Sequence, residues 1–186
     1  MQTFAIGRAG GTTVIAIEGD VTRQPVEAVV NSANEILQHN ESVATAIVRT
    51  GGRVIQEESD TWVLDNGPLQ PGAAAVTTGG MLQASHVVHV VGPHYRKDED
   101  QSDLLASSTQ AALAAAAEHG LKSVALPAIA TGQKKYPIAE AAPVIVGAVV
   151  DWLRENPDTL TEVRLVGFSR QHAHLLASAV SDQLGT

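Results

Sequence analysis

The chain has 186 residues, 44% of them hydrophobic, which suits one domain with a real core and leaves little room for a second. Aromatics make up only 3%, so the core is expected to be aliphatic, and a base-stacking platform for single-stranded nucleic acid is disfavoured. Cysteine is absent, which excludes disulfides, thiolate nucleophiles and cysteine-based zinc sites, and a formal charge of −8 gives no general attraction for nucleic acid outside a local basic patch.

The N-terminus, MQTFAIGRAGG, lacks a basic region followed by a long apolar run. With no apolar stretch near about eighteen residues, the expectation is a soluble, cytoplasmic protein without a membrane span. Residues 14–17 are nearly all apolar and read as a strand ending at Gly19, and Val29-Val30 reads as a short strand leading into polar residues. A helical pattern over 43–49 resumes after Gly51-Gly52 and runs over 54–64. Strands are expected at 74–78 and 87–91, followed by an acidic, solvated loop over 98–103. An alanine-rich helix over 104–118 stops at Gly120, a C-terminal cap. A strand at 124–126, a helix over 139–153 ending before Asn156-Pro157, and a strand at 163–166 follow. Leu175, Leu176, Ala179, Val180 and Leu184 form one apolar stripe on a last helix. Short continuous apolar strands alternating with helices predict an α/β domain with a mostly parallel sheet covered on both faces.

Several chemistries fail on spacing. His172 and His174 are two apart on a helix, and His86 and His89 an odd number apart on a strand, so neither pair converges; no metal site is expected. His89, inside an apolar strand, reads as a hydrogen-bonded core histidine. Gly167-Phe168-Ser169-Arg170-Gln171 lacks the last glycine of a serine hydrolase elbow, and neither a P-loop nor G-x-G-x-x-G is present.

Three segments place polar residues at strand ends. They are Gly19-Asp20-Val21-Thr22; Val29-Val30-Asn31-Ser32-Ala33-Asn34, running into Leu37-Gln38-His39; and Leu126-Pro127-Ala128-Ile129-Ala130-Thr131-Gly132. Ligands of open α/β sheets bind in the crevice outside the carboxyl ends of strands, where all three would meet. Singly, each has a plainer reading: an Asx-capped turn at Gly19-Asp20, side-chain bonds to turn backbone at Asn31 and Asn34, an ordinary loop at Thr131-Gly132.

Taken with T-T-G-G-M-L at 77–82 and V-V-H-V-V-G-P at 87–93, these segments closely resemble the macrodomain pattern from about residue 14 to about 179. The resemblance implies a single domain over 1–186, a three-layer α/β/α sandwich whose central mixed, mostly parallel sheet has about six strands. It also implies a cleft for ADP-ribose, free or protein-linked, and no cofactor. Asp20 matches the aspartate that accepts from the adenine amino group, a task suited to an acceptor-only carboxylate. Val21 would present its backbone amide beside the purine. Phe168 resembles the aromatic that lies against adenine, its alternative being a core phenylalanine. Asn34 matches the asparagine that holds the distal ribose and orients the reacting centre in hydrolytic members. His39 matches a histidine beside that ribose, so Asn34 and His39 are the catalytic candidates. Asn31 matches a structural position.

The pattern is broken in two loops. Asn40, Glu41 and Ser42, leading to Val43, stand where typical members carry three glycines, which let backbone N–H groups approach a diphosphate. Glu and Ser adopt left-handed backbone poorly. A carboxylate at Glu41 would oppose an anionic ligand by about 3 kcal/mol at about 5 Å and an effective dielectric near 20, unless it points outward at the helix N-terminus. The MacroD-type subfamily has a catalytic aspartate where this chain has Ala44. In the second loop, Ala130, Thr131 and Gly132 keep the pattern. Gln133 replaces an isoleucine, Lys134 the aromatic that covers the distal ribose, and Lys135 a glycine. The favoured expectation is a binding module with weak or altered hydrolysis. The alternative is an active hydrolase releasing ADP-ribose from modified protein, or acting on O-acetyl-ADP-ribose or ADP-ribose 1-phosphate, with Asn34 and His39 organising a water. A minor alternative is a nucleic-acid or other nucleotide binder using Lys134 and Lys135 on phosphates. Lys134 reads either as a solvated turn residue or as a cation facing the ligand.

Overall fold

The computed structural model describes residues 2–40 and 42–185. Its strands are β1 Gln2–Ala9, β2 Thr12–Glu18, β3 Ala28–Ser32, β4 Ala74–Thr78, β5 His86–Val90, β6 Ser123–Pro127 and β7 Glu162–Gly167. Its helices are α1 Ser42–Gly51, α2 Val54–Asn66, α3 Ser102–Glu118, α4 Ile138–Glu155 and α5 Arg170–Leu184. One seven-stranded sheet runs in the order β1-β2-β7-β6-β3-β5-β4. The five inner strands are mutually parallel, and β1 and β4 close the edges antiparallel to β2 and β5.

Side chains alternate across the sheet with period two. Val14, Ala16, Val88 and Val90 pack with α3, α4 and α5 on one face, while Ile17, Val29 and Val87 pack with Ile47 of α1 and Ile55 of α2 on the other. This is the expected three-layer sandwich, with one strand more than the approximate count of six. The addition is β1, whose pairing with β2 spans Gln2 to Ala9. Its residues are mostly exposed or half-buried, so it carries no continuous apolar run. Gly7 admits Leu184 of α5: a Cβ there would lie 2.6 Å from Leu184 Cδ1. Gly120 ends α3 at φ +72°, as a glycine cap requires. The two-apart histidines of α5 diverge, His174 meeting Phe4 edge-on at 4.5 Å. The acidic loop after β5 is exposed.

Candidate ligand-binding site

The carboxyl ends of β2, β7, β6, β3 and β5 all open into one cleft of about 660 Å³. At about 4.8 Å per strand, five neighbouring ends span about 19 Å, the reach of an elongated ligand with two ends and a middle.

At the β2 end, Asp20 caps a short 3-10 turn, Val21–Arg23. Its Oδ1 accepts from the Thr22 backbone N–H at 2.9 Å and the Thr22 hydroxyl at 2.7 Å, and Gln24 Nε2 donates to the Asp20 carbonyl at 2.8 Å. The plain capping reading is therefore correct, yet the same carboxylate lines the cleft. Among the described residues, Oδ2 accepts no hydrogen bond, Arg23 Nε lying 4.0 Å from it. Val21 is buried and also lines the cleft. Phe168 is no core residue: it is 85% exposed and lines the same cleft, after the neighbouring strand β7. Gly167 explains this, because a Cβ there would lie 2.2 Å from the Ala173 nitrogen. With α5 that close and Ser169 capping it through the His172 N–H at 3.3 Å, the chain turns sharply and Phe168 is left outside.

In the middle, two loops face each other. Gly132, after β6, stands where a Cβ would lie 3.3 Å from Ser42 Oγ at the start of α1. Ser42 has φ +50° and Lys135 φ +57°, so these two glycine replacements adopt the left-handed backbone that glycine favours, whereas Asn40 does not. Ala130 also has positive φ, its N–H donating to Ser32 Oγ at 3.1 Å. Thr131 Oγ1 donates to the Ala128 carbonyl at 2.7 Å and Tyr136 N–H to the Ala130 carbonyl at 3.0 Å, which folds the second loop on itself. Ser42, Val43, Ala130, Thr131, Gly132, Gln133 and Lys134 line the cleft; Asn40 is exposed and lies outside its wall. Glu41 lies outside the described residues.

Toward β5, Asn34 lines the cleft while its amide closes a turn, Nδ2 donating to the Gln38 carbonyl and Oδ1 accepting from the Gln38 N–H, both at 2.9 Å. Lys134 is neither a solvated turn residue nor a free cation. It is 7% exposed and donates to Glu35 Oε1 at 2.9 Å. Ala44 is buried in the cleft wall and supplies no carboxylate.

His39 does not reach the cleft. Its Nδ1 and that of His89 both face Asn31 Nδ2, at 3.2 and 3.0 Å. With Nδ2 donating to both rings, each carries its proton on Nε2, which meets Ser59 Oγ at 2.8 Å for His39 and Thr77 Oγ1 at 2.9 Å for His89. Burial holds His39 down to about 4, against the pull of Asp60, and burial with the neighbouring His39 holds His89 down to about 3. His89 is thus the hydrogen-bonded core histidine expected, with His39 stacked on it at 4.9 Å. Among the described residues no group of three or more histidines and carboxylates could hold a metal, and no helix is long and apolar enough to cross a membrane.

The family model described as Macro domain matches residues 30–145. The chain belongs to the macro domain family. It is 38% identical over 173 residues to a Streptomyces nogalater macro domain-containing protein, covering 92% of this chain and 93% of that one. An uncharacterized Thermotoga maritima protein is 42% identical over 163 residues, 87% of this chain, and the match spans only 27% of that longer protein. Among solved structures, a variant of the Oceanobacillus iheyensis macrodomain with ADP-ribose superposes with a TM-score of 0.91 at 26% identity, covering 97% of this chain and 98% of that one.

The motif reading missed Glu35, Gln38, Arg49, His94 and His172, all in the cleft wall. Arg49 had a signal available: Val43, Ala46 and Arg49 are three apart on α1 and share a face. Glu35 and His94 had none beyond nearness to the strand ends.

Proposed function

We propose that the cleft binds ADP-ribose, free or attached to protein, and cleaves the bond between ADP-ribose and its attachment only weakly. The carrying observation is the β2 end, where Asp20 and the exposed Phe168, which follow the adjacent strands β2 and β7, both line one cleft. A purine would lie against Phe168 and donate its amino group to Asp20 Oδ2, with Oδ1 already holding Thr22. The diphosphate falls between the Ser42 and Gly132 loops, where α1 directs its first N–H groups and the positive end of its dipole. The distal ribose falls at Asn34, whose amide can both donate and accept toward a diol.

Weak hydrolysis follows from what surrounds that ribose. Ala44 offers no carboxylate, and the ring nitrogens of His39 are committed to Asn31 and Ser59. His39 serves by fixing the loop that carries Asn34, through its own N–H, which donates to Gln56 Oε1 at 3.0 Å. The burial of Lys134 against Glu35 speaks against nucleic-acid phosphates as its partners. A cytoplasmic location belongs to this reading.

Calorimetry with ADP-ribose and its hypoxanthine analogue tests the assignment. Asp20→Ala should weaken ADP-ribose about ten- to a hundred-fold, the worth of a charge-assisted hydrogen bond of about 1.5–3 kcal/mol. Equal affinity of the parent protein for the two ligands would remove Asp20 from the adenine site. Rapid release of ADP-ribose from mono-ADP-ribosylated protein would replace weak hydrolysis by an active hydrolase.

A further inference from the structure

The β5 end of the cleft carries an ion pair that the binding of adenine, diphosphate and ribose does not use. Lys134 Nζ lies 2.9 Å from Glu35 Oε1. Lys134 is buried at 7% exposure, whereas the Glu35 side chain is 41% exposed, so the cleft meets the carboxylate with the ammonium behind it. Oε1 accepts from Lys134, and the carboxylate also takes a hydrogen bond from the Glu35 backbone N–H. Both residues are held by their backbones. The Glu35 carbonyl accepts from the Leu69 N–H at 2.7 Å, and the Lys134 carbonyl from the Tyr95 N–H at 2.8 Å. The pair is therefore a fixed wall.

Burial pushes the Glu35 carboxyl up, but the hydrogen bonds from Lys134 and from the Glu35 backbone N–H, with the charges of Lys134 and His94, outweigh it and leave the group below its ordinary value. An acid so held is ionised at neutral pH and is a poor proton acceptor. Its remaining property is charge, presented beside Asn34, where a group on the distal ribose would emerge.

We propose that Glu35 and Lys134 form a charge filter at this end, turning away an anionic group on the distal ribose and admitting a neutral or cationic one. The inference rests on the ADP-ribose reading of the cleft. A lone lysine at position 134 would do the opposite and gather a phosphate. Pairing with Glu35 cancels its charge and leaves the carboxylate nearest the ligand. The other cations of the cleft do not restore the sign. Arg49 lies at the last turn of α1, the helix that packs on the turn after Asp20; His94 is near enough for its charge to reach Glu35, but it is exposed and solvent screens it.

The test is calorimetry at low ionic strength with ADP-ribose and ADP-ribose 1-phosphate, on the parent protein, Glu35→Gln and Lys134→Met. The parent should prefer ADP-ribose by about tenfold or more, the order expected for one like-charge contact in a partly screened cleft. Glu35→Gln should abolish or reverse that preference by releasing Lys134, and Lys134→Met should deepen it. Added salt should shrink the parent's ratio toward one. Equal affinities in the parent, or the same ratio in Glu35→Gln, would overturn the filter. Should one variant not fold by its melting curve, the other and the salt series decide. If ADP-ribose itself is not bound, the functional reading fails; if it is bound and the ratio ignores both substitutions, only the filter fails.

Discussion

Acidification should destabilise this protein well above the pH at which its carboxylates titrate, through two stacked rings. His39 and His89 are held to about 4 and about 3, against an ordinary value of 6.5. Burial is the main cause for both, and Asn31 turns Nδ2, a donor, toward both rings. Because the folded values are depressed, the unfolded chain binds more protons as pH drops below 6.5. The stability contributed by keeping the rings neutral is complete above that value. It is lost progressively toward about 4 and about 3, where the folded rings also charge. Between pH 7 and pH 5 the loss is about 2 kcal/mol per ring and about 4 kcal/mol for the pair. That is a large share of the roughly 5–15 kcal/mol typical of a domain. Urea unfolding at half-unit steps from pH 7.5 to 4.5 measures it, and His39→Gln should roughly halve the slope. A urea midpoint unchanged from pH 7 to 5, or an NMR titration of either ring near 6.5, would refute the reasoning.

Three further outcomes follow. Phe168→Ala should leave the melting temperature nearly unchanged, because the ring is 85% exposed, while weakening ADP-ribose by the roughly 1–3 kcal/mol of base–aromatic stacking; a large drop in melting temperature would make it a packing residue. Lys135→Gly should raise stability by about 1 kcal/mol, since an exposed lysine at φ +57° bears a left-handed strain that glycine lacks; denaturant melts showing a loss would mean the side chain has a role in the fold. Ser42→Gly should relieve the same strain at φ +50° and tighten diphosphate binding by calorimetry, with unchanged affinity showing that this loop already reaches its ligand.

The candidate site was legible to the extent that its residues follow strand ends in short local motifs. Asp20, Val21, Asn34, Val43, Thr131 and Gly132 all reach the cleft wall, because parallel strands deliver their carboxyl ends to one edge of the sheet. Local reading also supplied the plainer role of Asp20, and the structure shows one carboxylate serving as cap and cleft wall together. The positions of His39 and Lys134 were not legible. Each depends on partners far along the chain: Lys134 meets Glu35 ninety-nine residues away, and His39 meets Ser59 twenty residues on across a helix break.

The sequence by itself determined the order of strands and helices, the two-sided burial of the inner strands and the edge at which a ligand must bind. Periodicity and turn chemistry act over a few residues, so these features are written locally. Tertiary structure alone decided three things. The exposed edge strand β1 exists because β2 offers it a ladder, not because of its own apolar pattern. Phe168 stands outside because Gly167 lets α5 pack against the strand end. The cation at Lys134 disappears from the cleft's electrostatics because the fold buries it against Glu35. Exposure and charge pairing are properties of surfaces brought together from distant segments, and no short stretch of sequence carries them.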